Sequence, residues 1–139
     1  MTTEILTKKT DYLSRFYQPK VTAYEFLKFF FAFVKDSTER VERDFVDFLY
    51  QQKQLEINAE VMEEINFRSN GITYYSDDIE DALYNLQNGG LLGKMNPSFG
   101  VLIIKYSDDE VNTIRNAIPD EYRSLIEKIA NDYCSTKEG

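Results

Sequence analysis

The sequence contains no histidine and a single cysteine, Cys134. Histidine is the side chain that most often serves as a general base, a pH switch or a transition-metal ligand, so its absence removes the commonest catalytic and metal-binding chemistry. One cysteine excludes an intramolecular disulfide and a cysteine-rich zinc site, and it fits a reducing compartment. We therefore expect no metal and no cofactor. Cys134 is expected to be a partly buried thiol, with dimerisation through it as the alternative.

Long hydrophobic runs are also absent. The most apolar stretch, residues 23–34, is interrupted by Glu25 and Lys28, and it is shorter than the roughly 20 residues that span a bilayer. The first residues, MTTEILTKKTDY, show no apolar signal-peptide segment. We predict a cytoplasmic protein with no membrane partner.

Basic residues are scarce: 16 Lys and Arg stand against 24 Asp and Glu, which gives a net charge of -8. Nonspecific nucleic-acid binders are usually basic, so this balance argues against general phosphate binding, although it leaves room for a small basic face. The paired carboxylates, such as Asp77 and Asp78, lie at expected helix starts or on solvated faces. Because no histidine or phosphate-binding loop accompanies them, we do not expect an enzyme.

The chain is nevertheless rich in core-forming residues, since 42% of it is hydrophobic and it contains ten Phe and ten Tyr. Its 139 residues suit one domain. Thr22 and Glu25 have the spacing of a capping box and predict a helix start. The helix that follows has only a narrow polar stripe, so its aromatic residues form either the core or a partner interface, and we favour the core. These aromatic residues are Phe26, Phe29, Phe30 and Phe33.

The next segments predict short elements. A helix is expected from Asp36 onward, because Val41, Phe45, Phe48 and Leu49 recur at helical spacing. Residues 55–57 suit a strand, Asn58 is expected to cap a brief helix in AEVMEEINF, and residues 72–75 are β-prone.

Ser76 is predicted to begin another helix, which Gly89 and Gly90 end. Residues 91–92 then start a strand, residues 96–100 form a turn, and residues 101–106 form a second strand. Two further helices are expected, one from the capping-box spacing of Ser107 and Glu110 and one after Pro119. The last residues, STKEG, are expected to fray.

The stretch IEDALYNLQNGGLL resembles the recognition helix of the winged helix-turn-helix superfamily, with Leu83, Leu86, Gly90, Leu91 and Leu92 in the matching places. The resemblance implies that the following strands form the wing and that INAEVMEEI holds the first helix of the motif. The connection from residue 67 to residue 76 is longer than the usual turn. The implied fold is mainly α with a small β-hairpin. Its winged-helix-like core spans residues 36–106, between an N-terminal arm with the aromatic helix (1–35) and C-terminal helices (107–139).

The recognition helix is acidic where a DNA-binding helix would meet phosphates, because Asp77, Asp78, Glu80 and Asp81 fill its first turns. We therefore expect an interaction module, such as an adaptor, inhibitor or antitoxin-like regulator of bacterial or phage origin, that contacts a protein. That protein is either simply basic or itself binds nucleic acid, and a homodimer is left open. The alternative is a dimeric DNA-binding transcription regulator. The expected partner-binding residues are Asp77, Asp78, Glu80, Asp81, Tyr84, Lys94 and Phe99.

Overall fold

The computed structural model describes residues 21–93 and 100–138, and this part of the chain is mainly helical with small antiparallel strand pairs, as predicted. Its helices are α1 (Ala23–Val34), α2 (Phe45–Lys53), α3 (Asp77–Asn88), α4 (Asp108–Asn116) and α5 (Asp120–Glu138), with a 3-10 turn at Glu56–Asn58. Its strands are β1 (Arg40–Glu42), β2 (Arg68–Ser69), β3 (Tyr74–Tyr75) and β4 (Val101–Ile103). The predicted N-terminal arm, residues 1–20, and most of the predicted 96–100 turn lie outside the described residues.

Helix α1 is the centre of the core. The predicted capping box forms, because the Thr22 hydroxyl accepts from the Glu25 N–H and the Glu25 carboxylate accepts from the Thr22 N–H, both at 3.1 Å. The four aromatic residues left open between core and interface are all buried, and α1 packs against α3, α4 and α5. The Phe30 ring lies 5.8 Å from the Tyr133 ring of α5, centroid to centroid. The structure therefore supports the core alternative for this helix.

Strand β4 lies between two neighbours. On one side it pairs antiparallel with β1, with Val41 opposite Leu102. On the other side it bonds to the chain leaving α3, where Leu92 bridges Ile104 and the Gly93 N–H donates to the Ile103 carbonyl at 2.8 Å. At the outer edge of β1, the Thr38 hydroxyl accepts from the Arg40 N–H at 3.0 Å and donates to the Arg40 carbonyl at 3.2 Å.

The prediction of one helix from Asp36 was wrong over its first half. Residues 40–42 form β1, and the helix begins only at Phe45. Val41 and Phe45 are both buried, so their spacing satisfied a helical pattern. Their burial has different causes, because Val41 packs through a strand paired with residues distant in sequence.

The predictions for residues 55–67 were also wrong. The expected strand is a 3-10 turn, and the expected helix after Asn58 is a series of turns. Asn58 is buried, and its amide donates to the Gln52 carbonyl at 3.1 Å rather than capping a following helix. The connection is held to α5 by the Tyr122 hydroxyl, which donates to the Glu60 carboxylate at 2.9 Å.

The prediction that the last residues fray was wrong for residues 135–138, because α5 continues through Glu138. The Lys137 ammonium group donates to Asp44 at 2.6 Å and to Glu42 at 3.3 Å. These contacts connect the last turn of α5 to β1 and to the residue before α2, which stabilises the helix end that the sequence alone would leave loose.

Candidate functional site

Helix α3 is positioned by its cap and by its apolar face. The buried Ser76 hydroxyl accepts from the Ile79 N–H at 3.2 Å, so Ser76 caps the helix. The side chains that face α1 are Ile79, Ala82, Leu83 and Leu86, and all of them are buried. The opposite face exposes Asp77, Glu80, Asp81 and Tyr84. This exposed face and the neighbouring β2–β3 hairpin (residues 68–75) form the surface that we call the α3–hairpin face.

Three of the four acids at the start of α3 contact groups of the same chain. Asp77 forms an ion pair with Arg68. The Arg68 guanidinium donates a hydrogen bond to the Asp77 carboxylate, and this bond raises the pKa of the guanidinium. Glu80 forms an ion pair with Arg43. These exposed pairs contribute little stability, because solvent screens them.

Asp78 is the most specifically bonded of these acids. Its carboxylate accepts from the Asn66 backbone N–H at 2.8 Å and from the Asn66 side-chain amide at 3.2 Å. It thereby connects the first turn of α3 to the chain just before β2. Asp81, in contrast, forms no hydrogen bond or ion pair with another residue in the part of the chain that the structure describes.

The β2–β3 hairpin packs against α2. The Asp47 carboxylate accepts from the Tyr74 N–H and from the Thr73 hydroxyl, both at 3.2 Å. The Tyr50 and Tyr74 rings are stacked, with centroids 3.6 Å apart and 11° between their planes. The turn itself contains Gly71 at φ 89°, a conformation that other residues rarely adopt. The next turn residue, Ile72, is strongly exposed.

A cleft of about 270 Å³ lies where α2, the hairpin and α3 meet. Its polar and aromatic walls include Arg43, Asp47, Tyr75 and Glu80. Tyr75 also lies beside Arg68, whose guanidinium carbon is 5.0 Å from the centre of the Tyr75 ring. The cleft thus brings aromatic and carboxylate groups together next to the exposed face of α3.

A second cavity of about 390 Å³ lies at the outer edge of β1. It is lined by Ser37, Thr38, Arg40, Glu42, Val101, Tyr133, Cys134 and Lys137. Burial raises the pKa of the Tyr133 hydroxyl. Cys134 is buried, whereas the sequence predicted a thiol that is only partly buried. In this cavity the Lys137 ammonium group donates to the Glu42 carboxylate at 3.3 Å.

The acids at the start of α3 can be identified from the sequence, but the side chains that bind them cannot. Arg43 precedes α2, whereas Asn66 and Arg68 lie in the connection between α2 and α3, and their contacts with α3 become visible only in the folded chain. The hairpin was signalled by the β-prone residues 72–75 and the Ser69-Asn70-Gly71 turn. Lys94 and Phe99, which were expected beside these residues in the wing, lie outside the described residues.

Across residues 21–93 and 100–138, no group of three or more acidic or cysteine side chains is arranged to hold a metal ion. Within the same ranges, none of the helices combines the length and apolar character needed to cross a membrane.

Comparison with protein-family models, with curated proteins and with solved structures gives no match.

Proposed function

We propose that this chain is a non-enzymatic, winged-helix-like protein that acts through contacts with another protein, as an adaptor or inhibitor. The order of its elements supports the winged-helix part of the proposal. The order is α1, β1, α2 and α3, with the β2–β3 hairpin inserted between α2 and α3. After α3, Leu92 bridges Ile104 at the end of β4, and β4 also pairs with β1. The helix preceding α3 in this arrangement is α2, not the segment INAEVMEEI that the sequence suggested.

The observation that carries the proposal is the charge of the α3–hairpin face. A helix that enters the major groove lies between closely spaced phosphates. On α3 the exposed side chains near the helix start are carboxylates, and the nearest guanidinium groups, Arg43 and Arg68, are already paired with Glu80 and Asp77. Phosphates would therefore meet net negative charge, which favours a protein partner over DNA.

Site-specific photocrosslinking tests the protein-contact proposal directly. A photoreactive phenylalanine analogue placed at Tyr84 should give a discrete protein adduct in cells that express the chain naturally. The same analogue at Glu121, an exposed residue of α5, is the control and should not give that adduct. Identical adducts from both positions, or adducts from neither, would contradict the proposal.

Fluorescence anisotropy with labelled duplex DNA tests the alternative, a dimeric DNA-binding regulator. Binding should be absent even at low salt, where electrostatic attraction to phosphates is strongest. Salt-dependent binding that is lost on substituting residues of α3 would support the regulator instead. Light scattering during size exclusion would show whether the chain is a dimer.

A further inference from the structure

The α3–hairpin face exposes three large apolar or aromatic side chains. Ile72 is 93% exposed, Tyr84 is 63% exposed and Tyr75 is 40% exposed. Tyr75 lines the 270 Å³ cleft together with Glu80, and Tyr84 lies one helical turn beyond Glu80 on α3. Exposed tyrosines are frequent anchors of protein interfaces, because they bury a large area at a small cost in conformational entropy.

Carboxylates surround these side chains. Asp47 and Glu80 line the cleft, and Asp81 lies beside Tyr84 on the exposed face of α3. The nearby arginines are engaged with Glu80 and Asp77, so they do not neutralise Asp81. An incoming cation would therefore meet favourable charge next to Tyr84 on α3 and next to Tyr75 at the cleft.

We propose that the α3–hairpin face binds a basic segment of another protein, in which lysine or arginine alternates with aliphatic residues. The cationic groups lie against Asp81 and the carboxylates of the cleft, while the aliphatic groups contact Tyr84 and Tyr75. This inference rests on the proposed function and names the chemistry of its partner. A second copy of the chain is a poorer occupant, because its own carboxylates would face these ones and each chain carries a net charge of -8.

Asp81 is the best residue with which to test charge recognition. The carboxylates of Asp77, Asp78 and Glu80 take part in contacts that shape the face, so their substitution changes structure and charge together. Asp81 forms no such contact within the described residues. Glu127 on α5 provides a matched control, since Glu127→Lys makes the same change in net charge on a helix whose main packing partner is α1 rather than α3.

The probe is a short fluorescein-labelled peptide in which arginine and leucine alternate, with a peptide of glutamate and leucine for comparison. Anisotropy should show binding of the basic peptide only. The salt concentration is about 0.15 M, because charges more than about 8 Å apart are then largely screened and attraction by the net charge of the chain is weak. Asp81→Lys should weaken binding about five- to tenfold, and Tyr84→Ser about fivefold or more. Glu127→Lys should change the affinity less than about twofold. Circular dichroism and urea unfolding of each variant confirm that it is folded.

Any of the following results would overturn the inference. Equal losses from Asp81→Lys and Glu127→Lys would mean that only net charge attracts the peptide. Equal binding of the acidic peptide would remove charge recognition. A wild-type dimer that Tyr84→Ser dissociates would make a second copy the occupant. If neither peptide binds while Tyr84 still crosslinks to a protein, the basic chemistry is wrong and the proposed function stands; loss of both signals contradicts both.

Discussion

The Tyr106 hydroxyl donates a hydrogen bond to the Lys28 carbonyl at 2.9 Å, which connects the chain after β4 to the middle of the central helix. Tyr106 is buried, and burial raises the pKa of its hydroxyl far above the ordinary value. The phenol therefore remains protonated and able to donate throughout the physiological pH range.

Removing this hydroxyl tests how much the bond contributes. Tyr106→Phe keeps the buried ring but removes the donor, so we expect the free energy of unfolding to fall by about 1 kcal/mol. Urea denaturation measures the change. Tyr84→Phe is the control, because the Tyr84 ring is exposed and its hydroxyl should contribute nothing measurable to folding. Equal stability of Tyr106→Phe and the parent chain would show that the bond is energetically neutral.

The aromatic cluster around Phe30 should dominate stability. Phe30 is fully buried, and its ring lies near those of Phe26, Phe31, Phe45 and Tyr133. Phe30→Ala should lower the free energy of unfolding by about 3–5 kcal/mol, because it removes apolar contacts and leaves a cavity. Phe30→Leu should cost less, since it retains part of the volume. Urea unfolding of both variants measures this order, and a negligible loss in Phe30→Ala would contradict the core assignment of α1.

Asp78 and Asp81 should behave differently although both are acids of α3. Asp78→Ala leaves the Asn66 N–H without its acceptor, so we expect a loss of about 1 kcal/mol in the free energy of unfolding. Asp81→Ala should stay within about 0.5 kcal/mol of the parent, as surface substitutions without specific contacts usually do. Chemical denaturation of both proteins under one buffer condition provides the comparison. Equal losses would mean that helix-end charge, not the Asn66 bond, is responsible.

Glu110 should give a pH-dependent contribution through the capping box of α4. The hydrogen bond from the Ser107 backbone N–H, at 2.8 Å, is the main cause that lowers the pKa of the Glu110 carboxyl below its ordinary value. A carboxyl with a lowered folded-state pKa stabilises the fold above its unfolded pKa, and this stabilisation is lost as pH falls through the folded pKa. The stability advantage of the parent over Glu110→Gln should therefore be largest above the ordinary carboxyl pKa of 4.5 and shrink as the pH falls below it.

Urea unfolding at several pH values measures that difference, and carbon NMR of the Glu110 carboxyl locates its titration. Glu121→Gln is the control, because it also removes one carboxylate from the first turn of a helix. Glu63→Gln is less suitable, because Glu63 has a contact of its own. A gap between parent and Glu110→Gln that grows on acidification would reverse the sign and contradict the role assigned to the ionised carboxylate.

The helices with strong local signals were predictable from the sequence. The capping boxes of α1 and α4, the Ser76 cap and the glycine end of α3 all depend on residues within a few positions of each other. Strand β1 was not predictable, because its strand character comes from pairing with β4, about 60 residues later in the chain. The turns near Asn58 were missed for a similar reason, since a buried side-chain bond overrides local helix propensity there.

The candidate site was predictable only in its residue types. The acidic start of α3 can be identified from the sequence, but three of its four acids are bound by Arg43, Asn66 and Arg68. Those contacts depend on how the residue before α2 and the connection between α2 and α3 pack against α3. Distinguishing acids that support the structure from one that remains available, Asp81, therefore required the folded chain.

The contacts between Thr38 and Arg40 have a consequence for how copies of this chain meet. Register places the Arg40 N–H and carbonyl on the side of β1 away from β4, where an unoccupied edge would invite a strand from another molecule. The Thr38 hydroxyl binds both groups, so main-chain pairing with a foreign strand is disfavoured there. We therefore expect this threonine to reduce the tendency of copies of the chain to associate through their strand edges.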